Sequence, residues 1–311
     1  MNTEDRIDLV LDNVEKVILG KRKVVKLALA AMLADGHILF EDVPGVGKTI
    51  LVRSLAKSIG CSFKRIQFTP DLLPSDVTGV SIYNQKTSDF EFREGPILSQ
   101  VVLADEINRA TPRTQSSLLE SMAEKQITVE GISRKLPDPF LVMATQNPVE
   151  YDGTFPLPEA QLDRFLVKLT VGYPEAAEEK RILDNLRLEH PIESLQSVIT
   201  DREFVEIQKE IKEVHLDEKI KDYIVNIVAL SRQHKDLELG VSPRGSIALM
   251  KLGQAWAFLD GRDYIIPDDI KEIAAAVLGH RIIIKAESRL RGRKADIIIK
   301  DLLTGTEVPV E

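Results

Sequence analysis

Cysteine is nearly absent. Cys61 is the only one in 311 residues, so an intrachain disulfide is excluded. The five histidines (His37, His190, His215, His234 and His280) never fall at a ligand spacing such as H-x-x-x-H, so a His/Cys metal centre is not expected. Aromatic residues make up only 5%, which predicts an aliphatic core. No apolar run reaches the ~18 residues that a membrane-spanning helix needs. The nearest candidate, VVKLALAAMLADGHILF, is interrupted by Lys26 and Asp35. The first twenty residues are rich in acids and do not read as a signal peptide, so the cytoplasm is the expected compartment. A clustered excess of positive charge is also missing. With a net charge of −8 and no basic arm, nucleic acid is not an expected partner.

What is present is ordinary for a globular chain of about two domains: 43% hydrophobic and 29% charged residues. Residues 5–34 have helical apolar spacing on either side of Gly20. HILFE (37–41), SQVVLADE (99–106), FLVMAT (140–145) and FLVKLTV (165–171) read as buried strands, and SFKRIQF (62–68) alternates like one. TILVRSLAKSIG and TQSSLLESMAEK read as helices, the first stopped by Gly60. SIYNQKTSDFEFREG (81–95) and QITVEGISRKLP (126–137) resemble hairpins. Strands alternating with helices predict a parallel α/β sheet. After Tyr173-Pro174 helical periodicity takes over almost throughout, which predicts an α/β unit over 1–172 and an all-α unit over 173–311.

Chemistry concentrates after the first strand, in EDVPGVGKTIL (41–51). A phosphate-binding loop has the form G-x-x-x-x-G-K-[ST], with backbone amides and a helix N-terminus turned toward the anion. Gly45, Gly47, Lys48 and Thr49 fit it between a strand and a helix, although Asp42 stands where the pattern has its first glycine. Lys48 is expected to reach the β- and γ-phosphates and Thr49 to coordinate Mg²⁺. Hydrolysis further needs an acid for the metal and a base for water. VVLADE supplies both at a strand end, Asp105 for the ion and Glu106 for the water. FLVMATQNP places Asn147 at a third strand end, where its amide can hold the attacking water or simply serve a turn.

EDVPGVGKT, VVLADEINRA, ATQNP, LPEAQLDRF and GVSPRGS, in this order, resemble the AAA+ ATPases and within them the MoxR family, from about Val17 to Arg281. The resemblance implies a P-loop domain with a five-stranded parallel sheet of order 5-1-4-3-2 and a C-terminal helical lid. It implies ATP and Mg²⁺ as cofactors, with Pro44, Val46 and Ile50 joining the loop glycines, and the Val17–Gly20 segment against the adenine. Asn147 matches sensor 1. Arg164 matches the arginine finger aimed at a neighbouring subunit, and Arg244 matches sensor 2 on the lid. Paired with Asp163 or Glu159, Arg164 would instead be structural. Arg109 and Arg113 are candidates for an interface or pore, and RLRGRK (289–294) for a solvated face. The implied activity is Mg²⁺-dependent ATP hydrolysis by a self-assembled ring, six subunits being the expected count. The implied work is chaperone-like maturation or remodelling of client proteins, among them ones with von Willebrand A domains. A nucleotide-gated DNA-binding or loading switch and a metal-chelatase motor subunit are the alternative readings.

Overall fold

The computed structural model describes residues 3–148, 153–185 and 191–309. Leu186, Arg187 and His190 lie outside them. Five strands form the central sheet: β1 (Ile38–Glu41), β2 (Phe63–Gln67), β3 (Val101–Asp105), β4 (Leu141–Gln146) and β5 (Val167–Leu169). Their spatial order is β5-β1-β4-β3-β2 and every pairing is parallel. This is the 5-1-4-3-2 arrangement, counting the sheet's own strands along the chain.

A parallel sheet must be covered on both faces, which is why β3 and β4 are near-continuous apolar runs. Successive side chains alternate faces. Ile38, Phe40, Val101, Leu103, Leu141 and Met143 enter one core, whereas Leu39, Ile66, Val102, Ala104, Val142 and Ala144 enter the other. The first core continues without a break into the helices at Thr3–Glu15, Arg22–Leu33 and Lys48–Ser58 and into the C-terminal helices. The second is closed by the helix Pro112–Glu124.

Two antiparallel hairpins stand apart from this sheet, Gly79–Asn84 with Asp89–Glu94 and Gln126–Val129 with Ile132–Lys135. The second turns at Glu130 and Gly131, both with positive φ, as a two-residue hairpin turn requires. The C-terminal region is built from helices that include Asp201–Ile211, Glu218–Gln233, Pro243–Leu259, Pro267–Leu278 and Ala295–Gly305. It departs from an all-α expectation in one respect: Leu237–Leu239 pairs with Ile283–Ile284 in a small antiparallel ribbon. The proposed division at 172/173 falls in the connection between Leu169 and Ala176. The N-terminal helices reach across it, with Gln208 Nε2 donating to Met32 O at 2.7 Å. No helix among the described residues is long and apolar enough to cross a membrane.

Candidate nucleotide site

The loop after β1 carries two glycines at φ 86°, Gly45 and Gly47. Left-handed backbone of this kind disfavours any side chain. A Cβ at either position would meet nothing within 4 Å, so the backbone borders open space. Gly47 caps the helix Lys48–Ser58 without a side-chain bond, leaving the first-turn amides for an anion. Lys48 Nζ donates to the carbonyls of Asp42 (2.7 Å) and Val43 (2.9 Å). Burial pulls the Lys48 ammonium below its usual range, opposed by the negative charges of Asp42, Asp105 and Glu106.

Because parallel strands end on one edge, the loop meets the C-termini of β3 and β4. Pro44, Gly45, Gly47, Lys48, Thr49, Ile50, Asp105, Glu106 and Asn147 line one cavity of about 370 Å³. Arg65 and Thr145, which the sequence reading missed, line it too. Thr145 joins the two acids. Its hydroxyl donates to Asp105 Oδ1 at 2.5 Å and accepts from the Glu106 amide at 2.8 Å. Arg65 donates to Asp105 Oδ2 through Nε (2.9 Å) and Nη2 (2.6 Å). Glu106 sits at φ 56°, ψ 49°, a left-handed conformation that is rare for a side-chain-bearing residue and collects at functional sites. Its Oε2 accepts from Gln67 Nε2 at 2.6 Å and from Arg109 Nη1 at 3.2 Å. Arg109 therefore serves the acid directly. Arg65 and Gln67 lie two apart on β2 and so on one face. That pairing is legible in KRIQ; its nearness to β3 is not.

An apolar cavity of about 230 Å³ adjoins the first and shares Gly45, Gly47 and Ile50 with it. Val17, Ile18, Val46 and Val171 line it. Gly20 does not. It turns at φ 69° against Glu178, whose Oε1 would lie 1.4 Å from an added Cβ. Asp42, the departure from the loop pattern, is buried, and its Oδ2 accepts from the amides of Val171 (2.8 Å) and Gly172 (2.7 Å). The carboxylate thus anchors the loop to the connection that leads into the lid.

Arg164 and Arg244 come together in a different cavity, of about 360 Å³, which shares no lining residue with the Lys48 cavity. Arg164 Nη1 donates to Leu119 O at 2.9 Å. The neighbouring Asp163 pairs with Arg281 instead, accepting from its Nε at 2.8 Å, and also accepts from Ser242 Oγ at 2.9 Å. Ser242 caps the helix that begins at Pro243 and carries Arg244. One aspartate therefore ties the Arg164 turn to the Arg244 helix. Arg293, in the basic run, pairs with Asp236 and Asp301.

Residues 37–167 match the family described as "ATPase family associated with various cellular activities (AAA)", and residues 229–302 match the AAA lid domain. Chaperone MoxR1 of Mycobacterium tuberculosis is 36% identical, over 97% of this chain and 82% of its own. The chain belongs to the MoxR family of AAA+ ATPases. YeaC of Bacillus subtilis, a relative of uncharacterized function, is 58% identical over 97% of this chain and 94% of its own. The 2.00 Å crystal structure of an ATPase candidate from Cytophaga hutchinsonii superposes with a TM-score of 0.91. It is 39% identical, and the match covers 99% of this MoxR-family chain and 96% of that one.

Proposed function

We propose that the chain hydrolyses the β–γ bond of ATP with Mg²⁺, in a site that a neighbouring copy completes, and uses the cycle to remodel client proteins. The observation that supports this best is the gathering of Lys48, Thr49, Asp105, Glu106 and Asn147, from three separate stretches, around one cavity. Lys48 and the amides of the loop hold phosphate oxygens, while Val17 and Val46 pack against the base. The Thr49 hydroxyl and the Asp105 carboxylate are hard oxygen donors on the same wall, the chemistry that suits Mg²⁺. Among the described residues no cluster of three His, Cys, Asp or Glu could hold a metal by itself, which fits an ion held jointly with phosphate oxygens. The bound ion would neutralise charge on those oxygens. Asn147 orients the attacking water and Glu106 takes its proton.

Arg164 and Arg244 share a cavity with no phosphate-loop residue in it, which supports their acting together on the nucleotide of the next subunit. A guanidinium supplied in this way is worth on the order of 10³–10⁵ in rate. A ring, six subunits by family resemblance, follows from that reading. A chaperone-like role is supported by the relative named Chaperone MoxR1. Clients with von Willebrand A domains and a cytoplasmic location rest on the resemblance and the composition.

Calorimetry and phosphate release test the site. Lys48→Ala is expected to lose ATP binding, and Glu106→Gln to bind ATP without turning it over. Normal turnover by Glu106→Gln would remove Glu106 from the mechanism.

A further inference from the structure

Arg65 puts a positive charge on the carboxylate that the proposed mechanism reserves for the metal. Its Nε and Nη2 both donate to Asp105 Oδ2, at 2.9 and 2.6 Å, so both lone pairs of that oxygen are engaged. The other oxygen, Oδ1, is held by the Thr145 hydroxyl at 2.5 Å. Asp105 is buried, and the two side chains meet inside the Lys48 cavity rather than on the outer surface. The Arg65 side chain itself is half-exposed, at 48%, so water is available to it once it lets go. The Arg65 half of the pair can return to water, whereas Asp105 stays buried. The pair is better explained by what it blocks.

The same guanidinium reaches the base. Arg65 Nη2 also donates to Gln67 Oε1. That contact fixes which way the Gln67 amide faces, so its Nε2 points to Glu106 Oε2 at 2.6 Å. One arginine therefore touches the metal-binding acid directly and the water-activating acid through one amide. Its place on β2 makes this possible. β2 runs parallel beside β3, with Gln67 in register with Asp105 and Arg65 two residues behind on the same face.

We propose that Arg65 is a resident counter-ion of the metal subsite: it holds Asp105 Oδ2 until Mg²⁺ arrives with the nucleotide, and the two cations compete for that oxygen. Arg65 is thus a positioning residue that sets how much Mg²⁺ the site needs. The proposal rests on the reading of Asp105 as a metal ligand and adds to it the group that the metal displaces.

The test is a Mg²⁺ titration of the binding of a fluorescent ADP analogue to the full chain, with an EDTA arm and a direct Mn²⁺ measurement by electron paramagnetic resonance in the presence of ADP. Arg65→Gln is expected to lower the Mg²⁺ midpoint and the Mn²⁺ dissociation constant about tenfold, the size of effect one adjacent charge has on a carboxylate. Its ADP affinity in EDTA should match the parent. Arg65→Lys, which keeps the charge but loses the fork, should fall near the parent, and Arg65→Met, which also removes the charge, repeats the measurement if Arg65→Gln does not fold. An unchanged midpoint in Arg65→Gln, or one shifted as far in Arg65→Lys as a charge loss predicts, overturns the proposal. If the parent itself binds ADP with no dependence on Mg²⁺, the metal reading of Asp105 fails and the proposal falls with it.

Discussion

His37 shows how one residue ties folding to pH. It is buried, and its ring bridges two elements. Nδ1 accepts from the Val142 amide on β4 at 3.0 Å, which leaves Nε2–H to donate to Met122 O at 3.2 Å. Burial lowers its pKa from 6.5 to about 4, so the folded protein keeps it neutral where the unfolded chain takes a proton. Stability from this residue is complete above pH 6.5 and is lost as pH falls toward about 4. Between pH 6.5 and about 5 the loss amounts to about 2 kcal/mol. Burial and the adjacent Arg281 lower the His280 pKa as well, with the same sign. Urea unfolding of the parent and of His37→Gln across this window isolates His37: the gap between the two should close by about 2 kcal/mol on acidification. Parallel curves would show that His37 titrates alike in the folded and unfolded states. At this scale Lys48, Thr49, Asp105 and Glu106 were legible in the sequence because each lies in a contiguous motif beside a strand. Arg65, Thr145 and the Asp163–Arg281 pair were not, since they act across strands or over 118 residues of chain.

Among the elements, the turn between β1 and the phosphate loop depends on Asp42. Its buried carboxylate accepts from two amides beyond β5, so the loop and the lid connection are held by one side chain. Asp42→Ala leaves both amides without that acceptor and should cost roughly 2–4 kcal/mol. Asp42→Asn, which keeps one carbonyl oxygen, should lose about half of that. Denaturant unfolding measures both. A change within about 0.5 kcal/mol for Asp42→Ala would mean that water or a backbone shift replaces the carboxylate without penalty. The sequence pattern foretold the five strands and the two hairpins, because apolar runs and alternation are local signals. It missed the ribbon of Leu237–Leu239 with Ile283–Ile284, whose strands of three and two residues show no period to read. The β5-β1-β4-β3-β2 order came from family resemblance alone, because nothing local states which strands are neighbours.

For the whole molecule, the central claim is that hydrolysis is shared between copies. Lys48 and Glu106 belong to one cavity and Arg164 and Arg244 to another. Asp163 holds the latter two segments together through Ser242. Two defective proteins should therefore repair one another. Arg164→Ala keeps an intact nucleotide cavity, whereas Lys48→Ala keeps an intact finger to lend. Subunit exchange can be followed with dyes on introduced cysteines, since Cys61 is buried and its thiol is pushed up to about 12 by burial, which keeps it unreactive. The most direct measurement is phosphate release from a mixture of Arg164→Ala and Lys48→Ala under conditions where exchange is complete. The account predicts that the mixture turns over ATP faster than either protein alone. A mixture no more active than the sum of its parts would contradict catalysis across the subunit boundary.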